Sequence, residues 1–433
     1  MSRQGFRFVH ATSLCLDEHL TGTGALTAED RQLAEDATFR SWDGVVQTCI
    51  DAQVEFLLLT GNSFNAKTNS LRARVALERG FEKLAAHQIS VFIVPGTLDP
   101  VTGWKRFFQL PPNVTLLTAD DHEPIAVMRD QRVMASIFVV ATPNSDETRW
   151  SESGPAALGR HQTPFRIGLV AAGTALSWNN GRPQADATPG NSSAGATLVQ
   201  AAMDHRTNYI ALGDGIPRTE YFSGGMVHDP GCAQSLTRAI TGSRGCSVIN
   251  VDNIGEITID PVAVAPVRWE DISVSVESHH GQNDLCERMA LALMELTPDD
   301  SESLWIITWK LSGKGPLFDS LSSTATRDEL WKKLEAELTG ERAVRRLHRL
   351  ERRVEALEQT GRPLKTGETR LLLDFQQVLQ ESGDQLIEQL RRELLEQDWL
   401  KHHDARGLRE MLGQISRQNV SRRAQALAAG WLE

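Results

Sequence analysis

The sequence predicts an α/β protein: a largely parallel, buried sheet at the start, a second sheet or an extension of the first, then a small α+β module and a charged helical C-terminal region. Three observations carry this. Short apolar, β-branched runs alternate with stretches whose apolar residues fall at helical spacing; the pattern changes after Pro266-Val267-Arg268-Trp269; and from Arg342 onward leucines and charges repeat at steps of three and four.

Phe6–His10, Val54–Thr60 and Ile89–Pro95 read as strands. Between them, Glu29–Ala52 places Val45, Val46, Cys49 and Ile50 at helical spacing, and Ser70–His87 does the same with Leu71, Val75, Leu77, Phe81 and Leu84. Strand, helix, strand, helix, strand implies parallel pairing. Further strands are expected at Val133–Ala141, Phe165–Ala172, Tyr209–Leu212, Cys246–Val251 and Gly255–Asp260, with two long polar loops, Asn144–Thr163 and Ser177–Gly195, among them. A strand at Ile272–Val276, a helix around Asp284–Leu296, a strand at Leu304–Leu311 and a helix around Thr326–Leu338 make up the small module. Beyond it, Val344, Leu347, Leu350, Val354 and Leu357 mark one amphipathic helix, and Leu372, Phe375, Leu379, Leu386, Leu390 and Leu394 a second, separated at Gly361-Arg362-Pro363. These helices are read either as a self-contained hairpin or as a docking surface for a partner's helices. Three domains follow: 1–270, 271–340 and 341–433.

The 433 residues suffice for two or three domains, and 40% apolar with 23% charged residues excludes a disordered chain. A net charge of −11 excludes a basic nucleic-acid coat. The charge is uneven: residues 341–433 carry net +2 and residues 1–340 net −13. The five cysteines are scattered without a C-x-x-C pair, which argues against structural zinc and for a reducing, cytoplasmic setting. No run approaches the roughly 18 apolar residues of a membrane span, and the first residues lead into a strand without an apolar signal core, so no membrane role is expected.

Six segments in order carry a family resemblance. Phe6-Arg-Phe-Val-His-Ala-Thr-Ser-Leu-Cys-Leu-Asp17 is similar to F-x-H-x-A-D-x-H-L-D; Val54–Asn65 is similar to an apolar strand followed by G-D-x-x-D; Ile89–Asp99 is similar to a strand followed by G-N-H-D. Ile167–Ala171 stands where a strand ends in a ligand His, Tyr209–Ile216 where A-L-G-H-x-H is expected, and Pro230–Gln234, Gly242–Cys246 and Pro266–Trp269 resemble the end of the same domain. The chain resembles the calcineurin-like metallophosphoesterases, and within them the SbcD-like and YhaO-like DNA-repair exonucleases. The resemblance implies an α/β/β/α sandwich with a cap module, and a reaction in which two manganese or similar divalent ions, about 3.5–4 Å apart, orient a hydroxide and stabilise charge on a phosphodiester.

At the positions where the family places its metal ligands and catalytic His, this sequence has Ser13, Cys15, Asn62, Thr97, Leu98, Ala171, Asp214 and Ile216; the last Asp of the second motif is Asn65. These side chains lack the carboxylates and imidazoles that would neutralise four positive charges, and Asn62 cannot bridge two ions as a carboxylate does. Leu98 removes the group that would assist phosphate departure. The expectation is a pseudoenzyme with no catalytic residues and no metal. Neutral residues in these places also avoid the repulsion of an empty ligand cluster.

His10, Asp17, Asp99, Gly61, Gly96 and Gly213 still match. The glycines suit tight strand-to-loop turns. Asp17 and Asp99 are read as turn or cap residues, or as remnants of a polar cleft; His10 as a core histidine rather than a ligand; and no spacing supports a soft-metal site of Cys15 with Asp214 or His10. The resemblance implies a scaffold that pairs with an SMC-like coiled-coil ATPase, contacts DNA, and dimerises through helices near 29–52 and 69–87. Arg342, Arg345, Arg346, Arg349, Arg352 and Arg353 would meet phosphates; with Glu351, Glu355 and Glu358 interleaved, a solvated helix face explains them more simply. The alternative is a surviving metal-dependent phosphodiesterase or DNA exonuclease rebuilt on His10, Asp17, Asp99 and Asp214.

Overall fold

The computed structural model describes residues 5–118, 124–141, 165–174, 176–179, 182–185, 196, 199–200, 202–203, 207–338 and 344–353. The chain divides into two units, the first Met1–Asp271, Leu296–Thr308 and Gly340–Arg349, the second Ile272–Glu295, Trp309–Thr339 and Leu350–Glu433.

In the first unit β1 (Phe6–Ala11), α1 (Ala28–Asp51), β2 (Phe56–Leu59), α2 (Leu71–Ala86), β3 (Ser90–Ile93), α3 (Val101–Phe107) and β4 (Val114–Leu116) alternate as expected. Thr27 starts α1 by accepting from the Asp30 amide, and Ser70 starts α2 by accepting from the Ala73 amide. Five further strands follow: β5 (Ile125–Arg129), β6 (Arg132–Ala141), β7 (Arg166–Val170), and the hairpin β8 (Leu176–Asn179) with β9 (Arg182–Ala185). Then come β10 (Tyr209–Ala211), β11 (Arg218–Phe222), β12 (Gly225–Asp229), β13 (Gly245–Val251) and β14 (Ile257–Ala263).

Two six-stranded sheets result, ordered β14-β13-β1-β2-β3-β4 and β11-β12-β10-β7-β6-β5. The run β1 to β4 is parallel, and β13 and β14 add antiparallel strands at its side. Because successive side chains alternate faces, Phe8, Phe56, Leu58 and Ile249 point toward Ile137, Ile167, Leu169 and Tyr209 of the other sheet. Their neighbours Val9, Leu57 and Ile93 face α1 and α2 through Trp42, Val45, Leu77 and Phe81. On the far side Val140, Val170, Ile210 and Val227 meet the helical residues Ala196, Val199, Ala202 and Met203. The order is helix, sheet, sheet, helix: the α/β/β/α sandwich anticipated.

A third sheet has the order β15 (Val267–Val276), β16 (Leu304–Gly313), β17 (Arg345–Arg353). In the second unit α4 (Gln282–Met294) buries Leu285, Met289 and Leu293, α5 (Pro316–Ser320) buries Phe318, and α6 (Thr324–Glu337) buries Leu330 and Leu334.

Two expectations need correction. Residues 345–353 form a strand and not a helix. Val344, Leu347 and Leu350 are too few to separate the two periods, and Leu347 packs with Leu33, Trp269 and Leu304, so tertiary burial decides the outcome. The remainder of the expected helical region, 354–433, lies outside the described residues, as does the Asn144–Thr163 loop. Ser177–Gly195 is not wholly a loop: β8 and β9 pair antiparallel with Asn179 opposite Arg182. The Asn180-Gly181 dipeptide between them is the sequence signal for such a turn. Among the described residues no helix is long and apolar enough to cross a membrane.

Candidate functional site

The loops that follow β1, β2, β3, β7 and β10 come together at the C-terminal ends of those strands, where open α/β sheets place their ligands. The loop after β1 climbs along the loop after β2: the amides of Ser13, Cys15 and Leu16 donate to the carbonyls of Gly61 (3.1 Å), Asn62 (2.9 Å) and Ser63 (3.0 Å). Ser13, Cys15, Asp17 and Asn62 have left-handed backbone, at φ 49°, 45°, 66° and 54°. Gly213 closes the cluster: a Cβ there would lie 1.9 Å from the Thr60 carbonyl oxygen, so no other residue fits.

The retained polar residues are consumed by internal hydrogen bonds. Asp99 is fully buried, and its carboxylate accepts from the amides of Gly96 (2.7 Å), Asn62 (2.8 Å) and Ser63 (2.9 Å) and from the Trp104 indole (3.2 Å). Burial pushes its pKa up to about 6 against the pull of those donors. It ties the β2 loop to the β3 loop. Asp17 accepts from the Ser70 hydroxyl and lies 3.5 Å from the Arg72 guanidinium, fastening the β1 loop to the start of α2.

His10 is buried, with Nδ1 2.9 Å from the Tyr209 hydroxyl and Nε2 3.0 Å from Thr60 Oγ1. Thr60 Oγ1 donates its proton to the Leu212 carbonyl (3.0 Å), so the network assigns His10 the Nε2–H tautomer, with Nδ1 accepting from Tyr209. Burial first, and His228 second, hold its pKa well below the ordinary histidine value. His10 is a core histidine.

At the family's ligand positions, Asn62 Oδ1 accepts from the Leu98 amide (3.1 Å), and Asn65 donates to Glu18 (2.8 Å). Ser13 and Ala171 are buried, Thr97 is exposed, and Cys15, Leu98 and Asp214 are intermediate. Ile216 leaves 53% of its surface exposed. Ala171 is turned into the core between the sheets; its neighbour Ala172 is the methyl that a Cβ on Gly61 or Gly96 would meet, at 2.9 and 3.0 Å. The β7 position that reaches the cluster is therefore 172, one residue beyond the expected one. Burial, then Cys232, Glu18 and Asp99, pushes the Cys15 thiol up to about 12, so it stays protonated.

This donor set does not fit a pair of divalent ions. The oxygens of Asp99 and Asn62 and both nitrogens of His10 already have partners, while Ser13, Thr97, Leu98, Ala171 and Ile216 supply neither carboxylate nor imidazole. Among the described residues, the strand-end loops bring no three His, Cys, Asp or Glu donor atoms within reach of one ion.

The sequence did not mark two further residues. Asp229, buried at the end of β12, accepts from the amides of Asp214 (2.8 Å), Gly215 (3.1 Å) and Gly231 (2.8 Å) and so shapes the loop after β10. Burial raises its pKa to about 8, with Asp214 adding to the shift. His228 bonds Thr219 and Ser247, both at 2.9 Å, and burial lowers its pKa to about 4. The His228-Asp229-Pro230-Gly231 sequence, an acid directly before a Pro-Gly turn, was the available signal.

Three of the arginines expected to meet phosphate are engaged within the protein. Arg345 pairs with Glu29 (2.8 Å) and Asp30 (3.1 Å), Arg349 donates to the Gly22 carbonyl and stands over Trp269, and Arg352 donates to the Phe318 carbonyl (3.2 Å). Arg342 lies outside the described residues.

No family model matches the sequence. Over 274 residues the chain is 30% identical to a Bacillus subtilis (strain 168) protein named uncharacterized metallophosphoesterase YhaO; the match takes in 62% of this chain and 63% of the relative. The chain thus spans a little under two thirds of that relative's length. Solved structures it is similar to include a dimetal phosphatase from Danio rerio (8% identity, TM-score 0.37, 60% of this chain and 99% of that one). Another is a Thermus thermophilus protein (9% identity, TM-score 0.36, 59% of this chain and 98% of that one). Superpositions at these scores add no argument of their own. Over those 274 residues the chain is similar to the Bacillus protein.

Proposed function

We propose that this chain is a catalytically impaired, SbcD-like metallophosphoesterase homologue that acts as a non-catalytic scaffold, or as a DNA-binding subunit, in a DNA-repair-type assembly. One observation carries the reading: at the strand ends the Asp99 carboxylate is committed to three of the protein's own amides and an indole, and both nitrogens of His10 to hydroxyls. A cation entering there would have to strip N–H groups from a buried carboxylate and leave them orphaned. Altering even an outer partner of a metal ligand costs about 10–100-fold in affinity or activity, and here the inner ligands themselves are replaced. A role as a scaffold needs the frame and not the ions. An SMC-like coiled-coil ATPase is the expected partner, and a homodimer the expected form. DNA contact is the weaker half of the proposal, since Arg345, Arg349 and Arg352 are spent on ion pairs and carbonyls.

The test is manganese content and turnover together. Purified chain incubated with Mn²⁺ is expected to hold no pair of ions and to cleave neither bis(p-nitrophenyl) phosphate nor linear duplex DNA, while retaining a large ATPase in co-purification. Two bound ions per chain with metal-dependent turnover would overturn the proposal. The name of the Bacillus relative favours that second reading, a residual phosphodiesterase, which needs Asp17, Asp99 and His10 to release their present partners and converge with Asp214.

A further inference from the structure

A separate cluster lies in the second unit, on the turn that joins β15 to α4. The His280 amide donates to the Glu277 carbonyl (3.0 Å), and this tight turn gathers the side chains of Glu277, His279 and His280 on one side. One donor atom from each of the three lies within 4.8 Å of the others. His279 Nδ1 is 3.6 Å from Glu277 Oε2, and the two rings are 4.6 Å apart between centroids. Ligands about 2.0–2.2 Å from a tetrahedral ion stand roughly 3.3–3.6 Å from one another, so the carboxylate and the first imidazole already have the required separation.

We propose that Glu277, His279 and His280 form a site for a borderline divalent transition ion of the Zn²⁺ type. Two imidazoles and one carboxylate are the donors such an ion favours, whereas Mg²⁺ and Ca²⁺ call for oxygen ligands throughout. Three protein ligands leave a fourth position for water. The site is open to entry, the side chains of His279 and Glu277 being 73% and 62% exposed. Nearby charges largely offset each other. Arg288 approaches His280 Nδ1 at 3.4 Å but is held back on Ser275 (2.9 and 3.0 Å), and the Asp284 carboxylate caps the Gly281 amide (2.7 Å). In the metal-free turn the Glu277 amide (3.0 Å) and the Arg288 guanidinium (3.4 Å) both meet His280 Nδ1, so ligation through that nitrogen exchanges these two contacts for a metal bond.

Equilibrium dialysis of the full chain against Zn²⁺ in excess Mg²⁺ tests this. The expected result is one Zn²⁺ per chain, with affinity reduced more than tenfold in Glu277→Gln and saturable binding lost in the His279→Ala/His280→Ala variant. Cys15→Ser should bind as the parent does. Cu²⁺ electron paramagnetic resonance on the same proteins should show two nitrogen ligands in the parent and in Cys15→Ser, and none in the double-histidine variant. Absence of saturable Zn²⁺ binding, undiminished binding in the double-histidine variant, or loss of binding in Cys15→Ser would each overturn the proposal. The turn is exposed, so unchanged unfolding midpoints are expected and confirm that the variants are folded.

Discussion

Replacing Asp99 by Ala tests whether the strand-end cluster is held by the protein itself. The carboxylate serves three backbone amides and the Trp104 indole at 2.7–3.2 Å, all buried. Each donor left without an acceptor costs about 1–3 kcal/mol, and water entering the space vacated by the carboxylate can serve some of them. Against this stands relief of a buried charge: a pKa raised from 3.8 to about 6 means that the ionised form is disfavoured by about 3 kcal/mol, at 1.36 kcal/mol per unit. The net loss expected near pH 7.5 is about 2–4 kcal/mol. The sign of the pH dependence follows from the raised value. The stability this group contributes is present below 3.8 and is lost as pH rises through about 6, so the parent gains on acidification and the Ala variant does not. The difference between them should therefore be about 2 kcal/mol larger near pH 4.5 than near pH 7.5. Urea unfolding followed by tryptophan fluorescence at both pH values gives the numbers. A loss under about 1 kcal/mol at both would show that the carboxylate does not tie the two loops. A difference that shrinks on acidification would show that the four donors outweigh burial and hold Asp99 ionised.

Tyr209→Phe removes the donor to His10 Nδ1 and leaves a buried lone pair unserved; a loss of about 1–3 kcal/mol in thermal or urea unfolding is expected, and a loss near zero would refute the tautomer assigned to His10. His228, held at about 4 against an ordinary 6.5, contributes stability that is present above 6.5 and lost as pH falls through about 4. His228→Gln should remove about 3 kcal/mol of the acid-side loss, read as a flatter urea midpoint across that window.

Much of the frame could be read from the sequence because its signals are local. Phe56-Leu57-Leu58-Leu59 is buried throughout, as a strand covered on both faces must be, and Thr27 and Ser70 cap helices whose apolar spacing was already plain. The misreadings arise where local signals are ambiguous. The three- and four-residue steps from Val344 to Leu357 read as a helix, yet 345–353 is a strand whose Leu347 packs with Leu33, Trp269 and Leu304. At the end of β7 a shift of one residue exchanges Ala171 in the core for Ala172 at the cluster, since the side-chain period is two. The positions of Ser13, Asn62 and Thr97 at strand ends were legible from motif order. Where their neighbours' lone pairs go was not, because His10 meets Tyr209 across 199 residues and Asp99 meets Asn62 across 37.

The left-handed residues bear on whether the cluster needs a cation. Non-glycine residues in that conformation cost roughly 1–2 kcal/mol each, and Ser13, Cys15, Asp17 and Asn62 all adopt it. In a metal centre, bonds to the ion offset such strain. Here the offset comes from the chain. Ser13 and Cys15 donate to Gly61 and Asn62, the Asp17 amide donates to Thr38 (3.2 Å) while its carboxylate holds Ser70, and the Asn62 amide rests on Asp99. Each strained residue is thus held by a partner that would remain in place without a metal. A carboxylate at position 62 would instead put a second negative charge on the residue whose backbone amide already donates to the buried Asp99 (2.8 Å), and without a cation the two would repel. The neutral side chain at 62 therefore belongs with the hydrogen bonding of Asp99.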